Sequence, residues 1–348
     1  MFSALLAASL ILASAVAGRG VGPTGAYAST PTGVQAQASP PAGLSTKVSL
    51  VYAQSSAIFT PLFVAQDHGF FAKEGLDVSF TQATGTPAIA TVMSGESQAL
   101  ATGATEVAGI DAAGGDVVML AACSNYPAFS LYVAPTIHSV EDLAGKKVAV
   151  TMIGTSTDTT ARIVLEHFGL ADKVEIISTG GTLAGIVAAM QAGIAAGGIL
   201  SPPTTAKAEA AGFTELVNGL RLRIPMTQAS IAVRKSYLAD HRDIVLRFMK
   251  AYLAAWAFLR MPANEAVAED AIAHYTRSTQ EEATIAYKAL VSVWQEAELP
   301  RMNPTGVKNV LRFSGNTRVR DVDPLTLIDD SVLDALVQSG YLKELYSK

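Results

Sequence analysis

The twenty residues from Pro61 to Phe80, PLFVAQDHGFFAKEGLDVSF, constrain the fold more than any other stretch of this chain. Leu62, Phe63, Ala65 and Gln66 lie on a short helix, and Gly69 ends it. Phe70 and Phe71 supply aromatic anchors, and Gly75 permits a turn into an extended 76–80. A helix that turns at once into a strand must pack against that strand, so the segment reads as one unit of an α/β layer. No catalytic group stands in it at a chemically useful spacing.

The same grammar repeats downstream. Residues 47–52 alternate as a first strand, followed by a polar loop at 54–60, and 78–81, 100–102 and 117–122 read as further strands. Helices at 87–93 and 106–113 fall between them. Strands that alternate with helices at this spacing predict a largely parallel sheet wrapped by helices. The strand 130–133 is read as leaving this first unit. A second unit opens with a capped turn at 139–143, a strand at 147–150 and a helix at about 157–168. It continues with strands at 174–178 and 198–200 and helices at 183–191 and 204–211, and 230–233 crosses back. The remainder is helical: in 243–260, Ile244, Val245, Phe248, Met249, Tyr252, Leu253, Trp256 and Leu259 recur at three and four and form one buried stripe. Trp256 and Trp294 are read as core, and His68 as a residue at a helix end.

Two phrases carry a resemblance. Ala65, Gly69, Phe70, Phe71, Glu74, Gly75, Leu76 and Val78 match a segment of the type A-x-x-x-G-F-F-x-x-E-G-L-x-V. Asp142, Leu143, Gly145, Lys146, Val148 and Val150 match D-L-x-G-K-x-V-x-V. Both resemble the extracytoplasmic solute-binding proteins that include sulfonate, nitrate and thiamine-precursor receptors. The resemblance covers nearly all of 46–345. It implies an α/β, two-lobed periplasmic-binding-protein type II fold, each lobe a mainly parallel sheet flanked by helices, hinged by two crossover strands. Lobe 1 is then 46–133 with 234–348, whose last segment packs back on that lobe, and lobe 2 is 134–233. The implied role is delivery of a small organic or oxyanion ligand to the permease of an ABC importer, without a cofactor. The resemblance leaves two other roles open: an enzyme like the thiamine-pyrimidine synthases, and a sensor module for a membrane receptor. Those synthases use a cysteine-rich motif, a cofactor lysine and a consumed histidine, which the cleft loops here lack.

Composition narrows the rest. The chain has 348 residues, half of them apolar, enough for two cores without oligomerisation, and a monomer is expected. Thirty acidic and 25 basic side chains give a formal charge of −5 with no basic cluster, which excludes a nucleic-acid partner. The lone Cys123 excludes an internal disulfide, a thiolate metal cage and a lipoprotein anchor, and the five histidines show no metal-ligand spacing. Residues 4–17 form an apolar run of signal-peptide length, too short to cross about 30 Å of hydrocarbon. A signal peptide over 1–28, cleaved after Ala26-Tyr27-Ala28, is preferred to cleavage after Ala15-Val16-Ala17. A flexible leader at 29–45 follows, and the product is expected to be periplasmic or secreted, with no integral membrane segment.

In open parallel sheets, ligands sit beyond the carboxyl ends of strands beside helix N-termini. That rule selects five loops, and from them Ser55, Ser56, Ile58, Gly85, Thr86, Ala104, Thr105, Gly154, Thr155, Ser156, Thr157, Ser201 and Pro202 as ligand-binding residues. Each hydroxyl serves equally well as a helix cap. Asp158 either orients a ligand donor or complements its helix dipole, and Tyr126 either stacks on a ligand ring or braces the hinge. No Arg or Lys lies in these loops, so an anion would depend on N–H groups and hydroxyls. An uncharged or singly charged organic ligand fits equally.

Overall fold

The computed structural model describes residues 45–53, 55–83 and 86–347. The expected signal peptide and all of the leader but Ser45 lie outside the described residues. Among the described residues no helix is long and apolar enough to cross a membrane.

The opening segment folds as its residues dictate. A helix at Thr60–Asp67 stops at Gly69, whose φ of +66° lies in the left-handed region that glycine enters at little cost. A four-residue helix at Phe70–Lys73 follows, and Gly75, at φ +68°, turns the chain into a strand at Leu76–Gln82. Phe71 is buried and stacks on Phe248 with ring centroids 5.0 Å apart, which fastens this unit to the long helix Arg242–Leu259.

Ten strands form two five-stranded sheets. In chain order they are β1 (Thr46–Tyr52), β2 (Leu76–Gln82), β3 (Ala99–Thr102), β4 (Val117–Ser124), β5 (Ser130–Val133), β6 (Lys147–Val150), β7 (Glu175–Ser178), β8 (Gly197–Leu200), β9 (Thr214–Asn218) and β10 (Ala229–Arg234). The first sheet runs β2-β1-β3-β10-β4 and the second β7-β6-β8-β5-β9. β1 pairs in parallel with β2 and β3, whereas β10 is antiparallel to β3 and β4. The second sheet repeats the plan: β6 is parallel to β7 and β8, and β5 is antiparallel to β8 and β9. Each sheet thus has one reversed strand, and that strand is the one arriving from the other sheet. The strand 130–133, read from sequence as leaving the first unit, pairs within the second. The chain passes between the sheets at 125–129 and again at 219–228.

Helices cover both faces of each sheet, so neighbouring residues of a strand enter different cores. In β1, Val48, Leu50 and Tyr52 join one cluster with Phe63, Phe71, Phe248 and Trp256, while Val51 joins another with Val107, Ile110 and Leu311. In the second sheet, Leu131, Val148 and Val150 pack on Ala161 and Val164 on one face. Tyr132, Ala149 and Leu200 pack on Ile186 and Met190 on the other. The terminal segment returns to the first sheet: Asp329 N–H donates to Met119 O of β4 (2.9 Å), and Val332, Leu333 and Leu336 enter its core.

Candidate functional site

The carboxyl ends of β1 and β3 in the first sheet and of β6 and β7 in the second open onto one cavity of about 310 Å³. From the first sheet it takes Ala53, Phe59, Leu100, Thr102, Gly103, Glu106 and Ile110; from the second, Phe129, Thr151, Met152, Thr155, Ser156, Thr157 and Gly181. Ala83, Ala88 and Ile89, with Gln228 and Ala229 at the return passage, complete it. Mostly apolar walls with a few placed polar groups are the ordinary make-up of a small-molecule site.

β3 ends at Thr102, and Gly103, with extended backbone, caps the helix Ala104–Ala112. Glu106 stands in the first turn of that helix and faces inward. Its Oε2 is sealed from solvent and has no hydrogen-bond partner. Burial pushes the Glu106 carboxyl above the usual carboxylate range, opposed only by a hydrogen bond to its own backbone. A Cβ on Gly103 would stand 2.5 Å from Glu106 Oε2 and 3.1 Å from Ser156 Oγ, so only glycine leaves that carboxyl where it is. Because Ser156 belongs to the second sheet's helix Ser156–His167, groups from both sheets converge on this point.

Gln228 contributes the complementary group. Its Oε1 accepts the Ala128 N–H of the outgoing passage, which leaves the amide nitrogen pointing the other way. That Nε2 is buried and unpartnered, and Gln228 is among the residues lining the cavity.

Of the loops selected from sequence, one supplies hydroxyls to this cavity: Thr155, Ser156 and Thr157. Two of the three are engaged within the loop. Thr151 N–H donates to Thr157 Oγ1 (3.0 Å), Thr155 Oγ1 donates to Met152 O (2.7 Å), and Thr151 Oγ1 lies 2.8 Å from Thr157 Oγ1. Among the described residues the Ser156 hydroxyl has no such partner. Gly154 N–H donates to Asp158 Oδ2 (2.8 Å) and Arg162 Nε to Asp158 Oδ1 (2.9 Å), so Asp158 holds the loop.

The other selected residues lie elsewhere. Ser55 Oγ donates to Gln82 Oε1 (3.1 Å), Ser56 Oγ accepts from Ile58 N as the cap of the turn Ala57–Phe59, and Ile58 is in the core. Phe59 of that turn reaches the cavity instead. Ala104 is core and Thr105 does not line the cavity, nor do Gly154, Ser201 and Pro202. Gly85 and the Thr86 side chain lie outside the described residues. Glu106, Gln228 and Phe129 were absent from the sequence-based set. The loop taken after the third strand stops at Thr105, one residue short of Glu106.

A second, larger cavity of about 590 Å³ is lined by Asn125, Tyr126, Arg221, Arg223, Trp256 and Lys288, among others. Arg223 lies 4.6 Å above the Tyr126 ring and pairs with Glu296, so Tyr126 faces this groove. The smaller cavity is the stronger candidate: it sits at the strand ends, and two buried polar atoms of its lining residues, Glu106 Oε2 and Gln228 Nε2, lack partners. Among the described residues no cluster of His, Cys, Asp and Glu is placed to hold a metal ion.

Residues 56–266 match the family described as NMT1/THI5 like, three fifths of the chain and most of both sheets. The chain belongs to the NMT1/THI5-like family. Among solved structures this family member is similar to the periplasmic aliphatic sulphonate binding protein SsuA from Escherichia coli, at 19% identity and TM-score 0.65 over 81% of this chain and 92% of that one. It is likewise similar to the ligand-binding component of an ABC-type import system from Staphylococcus aureus, at 11% identity and TM-score 0.68 over 83% and 98%. The periplasmic nitrate-binding protein NrtA from Synechocystis PCC 6803 matches at 14% identity and TM-score 0.58 over 68% of each chain. These likenesses fix the two-sheet periplasmic-binding-protein fold of this NMT1/THI5-like chain. No curated protein matches its sequence.

Proposed function

We propose that this NMT1/THI5-like protein is an extracytoplasmic solute-binding protein that closes its two units over a small molecule and presents it to the permease of an ABC importer. The observation that carries the reading is the cavity itself. It lies at the carboxyl ends of both sheets, and the chain crosses between those sheets only twice, a layout suited to hinged closure. The names of the similar structures, sulphonate-binding, nitrate-binding and import-system components, point the same way. Closure needs only that the ligand touch both walls, and Glu106 and Ser156 stand on opposite ones. The units that move are the first sheet with the C-terminal helices and the second sheet with its own, and the working form is a monomer exported by its apolar leader.

Cys123 is buried outside the cavity, with burial pushing the thiol up to about 12, so no thiolate forms at neutral pH. Ser156 replaced by leucine should abolish ligand-dependent stabilisation while leaving the circular-dichroism spectrum unchanged. Ligand at about one hundred times its dissociation constant should add roughly 2.7 kcal/mol to the unsubstituted protein. Solution scattering should report a smaller radius at saturation; an unchanged radius would argue against closure.

A further inference from the structure

A closed cavity selects its ligand through the groups it leaves unpartnered. Glu106 is the one charged residue among the described residues lining this cavity; no Lys, Arg or His lines it. Gln228, 3% exposed, lines the same space and has an unpartnered N–H donor, and its orientation is fixed by the Ala128 N–H on its other end. The helix N-termini that open into the cavity would ordinarily attract an anion. Two of them carry a carboxylate in the first turn, Glu106 in Ala104–Ala112 and Asp158 in Ser156–His167, and Asp158 takes up the Gly154 N–H, whereas Thr86–Ser94 and Leu183–Gln191 carry none.

We propose that the cavity takes a compact nitrogenous organic solute, neutral or cationic, that donates an N–H to Glu106 and accepts from Gln228, and that it rejects oxyanions. The inference rests on the solute-binding reading and adds the ligand's chemical class. An oxyanion would sit against a sealed carboxylate with no cation to offset it, whereas an N–H donor satisfies the orphaned oxygen. The volume of about 310 Å³ and the Phe59, Phe129 and Ile110 walls suit one small ring or a short-chain amide or amidine. Ser156 supplies a hydroxyl from the opposite wall, so the bound solute bridges both sheets.

The test is a thermal-shift and calorimetric comparison of the protein with its Glu106→Gln variant. One probe series is benzamidine, nicotinamide and cytosine; the other is ethanesulfonate, nitrate and benzoate. At least one nitrogenous probe should stabilise the unsubstituted protein, and Glu106→Gln should weaken it at least tenfold, while the oxyanions leave both proteins unmoved. Stabilisation by an oxyanion, or nitrogenous binding that Glu106→Gln leaves intact, would overturn the assignment and let the solute-binding reading stand. Silence toward both series would overturn both.

Discussion

Replacing Glu106 by methionine, which keeps the side chain's length and removes its carboxyl, should make the ligand-free protein more stable. A buried polar atom left without a partner costs about 1–3 kcal/mol, and Glu106 Oε2 is such an atom. Against this, a carboxylate in the first turn of a helix contributes about 0.3–1 kcal/mol through the helix dipole, which the variant forfeits. The difference leaves a net gain of about 1–2 kcal/mol, or a rise in melting temperature of about 2–4 °C for a chain of this size. The pH dependence gives a second reading. Because burial raises the folded-state value of this carboxyl, the folded protein holds a proton that the unfolded chain releases near the ordinary carboxylate value. Stability contributed by this group is therefore present below that value and declines as pH rises to the raised one. The variant lacks this decline, so its advantage should grow with pH across that window and then stay constant. Urea unfolding at pH 4, 6 and 8, followed by tryptophan fluorescence, measures both effects. A variant less stable than the parent at pH 8, or an advantage independent of pH, would refute the claim that Glu106 Oε2 is sealed and unpartnered.

Gly103→Ala should fold normally, since the backbone there is extended, yet displace the Glu106 carboxyl and lower ligand affinity at least tenfold by calorimetry. Unaltered affinity would show that this carboxyl is not placed for binding. Phe71→Ala should cost about 3–5 kcal/mol in urea unfolding, the usual loss for a fully packed aromatic. A loss under about 1 kcal/mol would mean that the opening segment does not anchor the first core. Three ion pairs span the two units: Lys207 with Glu282 (3.6 Å), Arg312 with Glu166 (2.6 Å) and Arg223 with Glu296. Glu282 is largely covered and the other partners are exposed; at about 0–1 kcal/mol per pair, changing all three glutamates to glutamine should weaken apparent ligand affinity by about a hundredfold at most. A loss of a thousandfold or more would make the pairs, and not the ligand's own contacts, the main support of the closed form.

Packing is more legible in the chain than the candidate site, for reasons visible in particular residues. Gly69, Phe71 and Gly75 act over a few residues: a left-handed glycine ends a helix and an aromatic fills the space beneath it wherever the rest of the chain goes. Likewise the stripe from Val245 to Leu259 repeats often enough to fix a buried face. Strand β9 escaped because it lies at a sheet edge with Val217 alone fully buried, so no alternation marks Thr214–Asn218. The lobe boundaries at 130–133 and 230–233 turn on which sheet a strand joins, and a short apolar strand reads the same in either.

The hydroxyl loops show the harder limit. A cluster of Thr and Ser at a strand end signals either ligand contacts or mutual caps, and the two differ only in where the hydroxyls point. Thr151, Thr155 and Thr157 bond to one another and to the Met152 carbonyl, so the density that drew attention to this loop chiefly builds its own shape. Glu106 sends the opposite signal. In the sequence it is an acidic residue near a helix start, where such residues commonly complement the dipole. What distinguishes it is the absence of any partner for a sealed oxygen, which depends on Gly103 and on Ser156, 50 residues away in the other unit. A ligand-binding group is one that the folded chain leaves unsatisfied, and a local pattern records satisfied groups best. Abundance of polar residues is thus a weaker guide to this site than the few polar atoms that nothing in the protein answers.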